Sequence, residues 1–388
     1  MIVTQLTVRN FRSLVDVKLP MNNLNVVIGP NGSGKTALME VLLLLGYGAR
    51  GELSTFFEQR GGYQAVFSQL SEHSNQSRLA VEVEWADTSK RKTTLQQFAV
   101  ELRSTQVGYE IATEVLYRPI VQGPKSVATA EYAYQEGKLH TTPYAKEYSL
   151  PKLRNSELVL TQLPPQKEFR DAAQFREAFA EIELFPPLPV NPRSPIRLPQ
   201  SLTPATAPGV IGDTLYSALY NLRISQPEQY DRLLTVLMQA FPGLQRLEFP
   251  VVGAGMVTMT WYDRFNRQPF YPNQLSEGTL RFLWLVTLLM SSQPSTVLLL
   301  DEPEVNLHPQ LIRLLVALLQ DAALRRQIVV ATHSSDLVSW LAPDEVIVVD
   351  KEDGRTQFTP ANTLNLAEWL ADYSLRDLWH MGHLGGRT

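Results

Sequence analysis

The sequence predicts an α/β protein with a mixed sheet core, an antiparallel β layer and a helical lobe. Three observations carry this. Gly29 to Thr36 reads G-x-x-x-x-G-K-T between an apolar run, Leu24 to Ile28, and a helical run, Ala37 to Leu45. Residues 78–120 hold runs that alternate apolar and polar side chains, the pattern of half-buried strands. From Leu275 onward apolar strands alternate with helical periods, which predicts a mostly parallel sheet with covering helices.

The chain has 388 residues, which suits two or three domains or one large α/β unit with insertions. Its 44% hydrophobic and 19% charged content suits a globular protein. Net charge is −4, from 35 basic and 39 acidic residues, so nothing in the balance demands a nucleic-acid partner. There are no cysteines, which excludes disulfides and thiolate metal sites and is compatible with the cytosol. Arg9 and Arg12 interrupt the N-terminus, so no signal peptide is expected.

In chain order, the first 28 residues read as strands around Leu6 and Val8, around Val15, Val17 and Leu19, and around Leu24, Val26 and Ile28. Leu79 to Trp85 and Phe98 to Leu102 alternate within the β layer. Lys90-Arg91-Lys92 falls at an expected hairpin tip and reads as a solvated turn. Residues 186–208 hold eight prolines, which predicts an extended connector. Asp213 is a candidate cap for a helix to about Leu222. A second helix is expected from Pro227 to Phe241, with Leu233, Leu234, Leu237 and Phe241 on one face. Short strands are expected at Leu247 to Val251 and Met256 to Trp261. Phe282 to Leu300 is 19 residues without a charge, close to membrane-span length. Ser291-Ser292-Gln293-Pro294-Ser295 breaks it, so a buried helix, a turn and a buried strand are predicted. A helix at Leu311 to Leu324, strands at Ile328 to Ala331 and Val346 to Val349, and an aromatic-rich helical cap from Leu366 to Trp379 follow. The expected division is a core, 1–185 and 265–388, and an inserted connector with a helical lobe, 186–264.

Four segments carry chemistry. In Gly29-Pro30-Asn31-Gly32-Ser33-Gly34-Lys35-Thr36, glycines let backbone N–H groups face phosphate oxygens. Lys35 then reaches the β- and γ-phosphates and Thr36 ligates Mg²⁺, so a nucleoside triphosphate is the expected ligand. Val297 to Leu300 followed by Asp301-Glu302 places two acids at the C-terminal edge of a sheet, where such sheets bind ligands. Asp301 can support the metal, and Glu302 can orient or deprotonate water. His333 ends the next apolar strand at the same position, within expected reach of the γ-phosphate. Leu275-Ser276-Glu277-Gly278-Thr279 opens a long apolar helix, with Ser276 as a good N-cap. It reads as an ordinary capped start or as an anion site.

Together these motifs resemble the ABC-type ATPase heads of the SMC, RecF and OLD group, a P-loop NTPase fold. Leu275 to Thr279 matches their signature, Asp301-Glu302 their Walker B acids, Asn306-Leu307-His308 their D-loop and His333 their switch histidine. Leu6 to Ser13 looks like their N-terminal strand, which implies that Asn10 and Arg12 approach the nucleotide. The run Asp301 to Pro309 and the tail Leu378-Trp379 to Gly385-Gly386 are similar to a bacterial RecF/OLD-like subgroup of AAA family ATPases. The resemblance spans roughly 1–70 and 265–388; the centre is covered poorly. It implies ATP and Mg²⁺ as ligands, and a homodimer or higher oligomer. In that arrangement Ser276 and Gly278 of one subunit close over the nucleotide of another. Unlike some relatives, the chain has no long coiled coil, and nothing after His333 resembles a TOPRIM nuclease. Gln64 and Gln69 are candidates for the Q-loop, each read as an ordinary surface residue.

The expected function is therefore a cytoplasmic ATPase, off the membrane, that dimerises around ATP. It would act as a sensor in bacterial anti-phage defence, with a separately encoded effector, a nuclease or toxin. The alternative is a RecF-like repair or recombination ATPase that binds DNA. A transporter's ATP-binding subunit and a nucleotide-gated scaffold with negligible turnover stay open.

Overall fold

Two sheets organise the described residues of the computed structural model: 1–70, 78–87, 94–120, 129–141, 153–291, 297–366 and 368–385. Lys90-Arg91-Lys92, all but Ser291 of the turn expected at Ser291 to Ser295, and Gly386 lie outside them. From the N-terminus run β1 (Ile2–Phe11), β2 (Leu14–Pro20) and β3 (Leu24–Ile28), then α1 (Lys35–Arg50), α2 (Leu53–Glu58) and α3 (Tyr63–Val66). A β-rich stretch follows: β4 (Arg78–Asp87), β5 (Thr94–Ser104), β6 (Tyr109–Ile120), β7 (Ala130–Gln135) and β8 (Lys138–Thr141). Helix α4 (Arg170–Ala180) and β9 (Glu183–Phe185) lead into the Pro-rich connector with β10 (Gln200–Ser201). Helices α5 (Leu215–Ser225) and α6 (Pro227–Ala240) precede the short strands β11 (Leu244–Glu248), β12 (Val251–Gly253), β13 (Met256–Val257) and β14 (Thr260–Asp263). The last part alternates: α7 (Glu277–Met290), β15 (Val297–Asp301), α8 (Pro309–Ala323), β16 (Gln327–Thr332), α9 (Ser335–Val338), β17 (Val346–Glu352), β18 (Arg355–Pro360) and α10 (Leu375–His380).

The order β18-β17-β3-β16-β15-β9 forms a six-stranded sheet, parallel except for β18. The order β2-β1-β4-β5-β6-β7-β8 forms a seven-stranded antiparallel sheet. They meet where the Thr356 N–H donates to the Ser13 carbonyl at 2.9 Å.

Strands β3, β15, β16 and β17 each carry a largely apolar, buried run, Leu24 to Ile28, Val297 to Leu300, Ile328 to Ala331 and Val346 to Val349, because both faces are covered there. Successive side chains point to opposite sides. Val27, Leu299, Val329 and Ile347 join the core shared with α1, α4 and the antiparallel layer. Val26, Leu298, Val330 and Val348 join a second core, shared with α5 to α8 and the C-terminal segment. The six-stranded sheet is therefore a partition between two cores.

In the first core, α4 closes the antiparallel layer through Phe175. Its ring stacks on Phe179 at 4.1 Å and lies 4.5 Å from Phe98 and 4.8 Å from Trp85. Truncating such a ring to alanine costs about 3–5 kcal/mol.

Several local expectations are corrected. Asp213 does not cap α5; Thr214 occupies that place without a side-chain cap, its hydroxyl donating instead to the Ala207 carbonyl at 2.9 Å. The two strands expected over 247–261 are four, because Pro250 and the left-handed Gly253 and Gly255 interrupt them. The C-terminal cap is two short pieces, Trp369–Ala371 and α10, with a capping box of Ser374 and Asp377 starting the second. Strand β9 had no readable alternation, being three residues before Pro186-Pro187. The 19-residue uncharged run resolves into α7 and β15. Among the described residues no helix is long and apolar enough to cross a membrane.

Candidate active site

Strand β3 is buried throughout and delivers Gly29 at φ 154°. A Cβ there would lie 2.2 Å from the Val349 carbonyl oxygen, so only glycine lets the chain turn beside β17. Gly34, at φ 121°, lies against Thr356, whose Oγ1 would be 2.3 Å from an added Cβ. Helix α1 starts at the next residue, leaving the N–H groups of its first turn open to an anion. Lys35 Nζ donates to the Gly29 carbonyl at 2.8 Å and to the Pro30 carbonyl at 2.9 Å. Burial pushes the Lys35 pKa down, opposed by the charges of Glu302 and Asp301.

Strand β15 brings Asp301 opposite Ala331 of β16, so the acids and His333 emerge at one edge of the sheet. Burial and the neighbouring Glu302 raise the Asp301 pKa, and Lys35 opposes them. Glu302 has left-handed backbone, φ 43°, held by its N–H donating to the Ala331 carbonyl at 2.8 Å. Such conformations cost energy and gather at functional sites. His333 Nε2 lies 3.7 Å from Glu302 Oε1. Burial and the Lys35 charge lower the His333 pKa, opposed by Glu302, which favours the neutral ring. Lys35, Asp301, Glu302 and His333 thus form one electrostatic group.

This donor set fits a triphosphate with a divalent cation. It offers a left-handed glycine loop, an ammonium anchored at its base, the Thr36 hydroxyl and the Asp301 carboxylate. Among the described residues no cluster of three or more acidic or histidine side chains could hold a metal alone. A cation here would depend on phosphate oxygens besides Thr36 and Asp301.

The signature segment is arranged differently. Ser276 caps α7, its Oγ accepting from the Thr279 N–H at 3.1 Å and lying 2.7 Å from Thr279 Oγ1. The Leu275 carbonyl accepts from Arg197 of the connector at 3.0 Å. Asn306, left-handed at φ 62°, donates through Nδ2 to Glu277 Oε2 at 3.2 Å, and a Cβ on Gly278 would lie 2.9 Å from the Asn306 carbonyl oxygen. His308 caps α8 through Nδ1, which accepts from the Gln310 N–H at 3.4 Å. Signature and D-loop segments therefore touch each other. Helices α1 and α7 belong to opposite cores.

Asn10 and Arg12 flank Phe11, both left-handed at φ 57° and 49°. Asn10 donates to the Arg78 carbonyl at 2.9 Å, and Arg12 pairs with Glu40 of α1 at 3.0 Å. Gln64 and Gln69 are exposed, as expected; Gln69 Nε2 donates to the Gln64 carbonyl at 3.1 Å. The residue before Gln69, Ser68, is tied through its N–H to the Asn10 carbonyl at 2.9 Å.

Three residues escaped the sequence reading. Thr356 donates to the Ser33 carbonyl at 2.7 Å and lies 2.7 Å from Ser13 Oγ, bracing the P-loop from β18. No local signal marks a threonine so distant in sequence. Glu40 joins Arg12 to Arg60, which it meets at 3.2 Å. Glu304 is 8% exposed and accepts from the Thr332 hydroxyl; burial pushes its carboxyl up to about 7. A third acid so soon after Asp301-Glu302 was a readable signal.

Residues 24–339 match the family described as "AAA domain, putative AbiEii toxin, Type IV TA system". Over 49 residues the chain is 43% identical to the DNA replication and repair protein RecF of Proteus mirabilis, and 47% identical to that of Psychromonas ingrahamii. These segments are 12% of this chain and 14% of each RecF, so the chain spans only a small part of those relatives. The fold is similar to the Smc head bound to the C-winged helix domain of ScpA, with a TM-score of 0.57 at 13% identity, over 92% of this chain and 98% of that one. It is also similar to the Pyrococcus furiosus-derived Smc head with an extended coiled coil, with a TM-score of 0.52 at 12% identity, over 96% and 100%. The chain belongs to that AAA domain family, and its fold is that of an ABC-type ATPase head, as in the Smc heads.

Proposed function

We propose that this chain is an ATPase of the SMC and RecF kind that dimerises around ATP and regulates a separately encoded effector, a nuclease or toxin, in bacterial antiviral defence. The observation that carries the dimer is the separation of its two phosphate-facing segments. The P-loop opens a helix in one core, and the signature opens a helix in the other. A second subunit would bring Ser276 and Gly278 over the γ-phosphate held by Gly29 to Thr36 of the first.

In this reading Lys35 and the α1 N-terminus bind the phosphates, while Thr36 and Asp301 hold Mg²⁺. The cation would neutralise charge on the β- and γ-phosphates. Glu302 takes a proton from the attacking water, and His333 donates a hydrogen bond to the γ-phosphate. Asn10 and Arg12 bound the nucleotide, and Asn306 and His308 line the subunit boundary. Gln69 is the better Q-loop residue, because Ser68 is bonded to Asn10. The defence role is supported by the AbiEii and toxin–antitoxin wording of the family description. A partner chain is supported by the similar Smc head, which holds a domain of ScpA. The core of 1–185 and 265–388, the inserted 186–264 lobe and a cytoplasmic setting belong to the same proposal.

The RecF likeness favours a second reading, a repair ATPase that binds DNA. DNA affinity falling steeply with salt would support it.

The test of the composite site mixes Lys35→Ala subunits with Ser276→Arg subunits, each inactive alone. Hydrolysis in trans predicts partial recovery, from the one intact pairing. No recovery in demonstrated mixed dimers would overturn it. Identifying what co-purifies with the native protein tests the effector.

A further inference from the structure

We propose that Glu304 is a positioning residue that fixes the turn presenting His333, acting through Thr332. This rests on the reading of His333 as a γ-phosphate contact.

Thr332 is the last residue of β16 and has no exposed surface. Its hydroxyl donates to the Glu304 carboxylate and accepts from the Ser334 N–H at 2.9 Å. The hydroxyl is thus engaged in both directions, on either side of His333 in the chain. Its proton points at Glu304, which leaves a lone pair for Ser334. Without that acceptor the hydroxyl is free to rotate and the turn loses its lock. Ser334 in turn caps α9, accepting from the Leu337 N–H at 3.3 Å.

Glu304 is itself held. Its carbonyl accepts from the Leu307 N–H at 2.9 Å, within the loop that Asn306 ties to Glu277. Arg281 of α7 donates to the Val305 carbonyl at 3.4 Å. The Glu304 carboxylate therefore stands between a loop gripped by the start of α7 and the strand end that carries His333. Its second oxygen is buried without a hydrogen-bond partner, an expensive arrangement that an apolar side chain would avoid. Packing alone does not account for a carboxyl here.

The expected signature is a defect in turnover rather than in ATP binding, since Glu304 makes no bond to the P-loop. Glu304→Ala and Thr332→Val should each lower kcat roughly 10- to 100-fold, the scale of a small misplacement of a reacting group. KM for ATP should change by less than about twofold. Glu304→Gln and Thr332→Ser keep the bond and should recover most of the loss. In a His333→Ala background, Glu304→Ala should cause no further loss, because both act through one group. If Glu304→Ala does not fold, Thr332→Val breaks the same bond from the other end. A second full loss on top of His333→Ala, or unchanged kcat in folded Glu304→Ala, would overturn the positioning role alone. If His333→Ala itself turns over at the wild-type rate, the underlying reading of His333 fails and the role of Glu304 with it.

Discussion

Lys35 is buried at the first turn of α1 and anchored to two carbonyls of its own loop, whereas Ser276 is exposed at the first turn of α7 and caps only its own helix. Both segments are helix N-termini, yet they are supported in opposite ways. The P-loop is wedged between β17, β18 and the β1–β2 turn, with Gly29 and Gly34 where a side chain would collide. The signature leans on the connector through Arg197 and on the D-loop through Asn306. In the proposed function the first half holds the ligand within a single chain and the second presents a surface to another subunit.

The largest expected effect tests the chemistry shared by both halves. Glu302→Gln should slow phosphate release by about 10²- to 10⁴-fold while ATP still binds. Wild-type turnover in that variant would remove Glu302 as the base. Next, Lys35→Ala should weaken ATP binding to the isolated subunit roughly 10- to 100-fold, the loss of a charge-assisted bond. Ser276→Arg should leave that binding intact and abolish turnover. Equal losses of binding would mean that the halves are not separate. Glycine substitutions sharpen the contrast. Gly34→Ala forces a left-handed alanine into Thr356 and should cost about 1–3 kcal/mol in thermal or denaturant unfolding. Gly278→Ala meets only the Asn306 carbonyl oxygen and should mainly disturb the D-loop.

The smallest effect is a pH dependence spread across both cores. Glu304 beside the site and Glu114 in the antiparallel layer are each pushed by burial to about 7, above the ordinary 4.5. The native state then binds protons that the unfolded chain has released. Their stabilisation is complete below pH 4.5 and lost as pH rises through 7. Between pH 6 and 8 each should cost about 1 kcal/mol, so urea midpoints should fall over that range. Flat midpoints would contradict the burial of these carboxyls as charged-state penalties.

The site was legible where chemistry dictates spacing within a few residues. Gly29 to Thr36, Asp301-Glu302 and Ser276 could be placed because glycine geometry, strand ends and helix caps leave local marks. The central strands were legible because Val and Leu runs need cover on two faces. Thr356, Glu40 and β9 were not. Their roles come from partners distant in sequence, and a threonine or glutamate looks the same there as on a surface. Between these extremes, Asp213 lies one position before the N-cap of α5, where Thr214 stands without a side-chain cap and its hydroxyl bonds Ala207 instead.

The brace between Thr356 and Ser33 joins residues 323 positions apart. On a ribosome, the glycine loop emerges long before the strand that supports it. Its sheet partners β16 and β17 also come late, so β3 waits unpaired on both sides through most of translation. The proposed nucleotide site is therefore among the last features a nascent chain completes. A prematurely terminated product would carry the complete motif without its support, and should not compete with finished subunits for ATP.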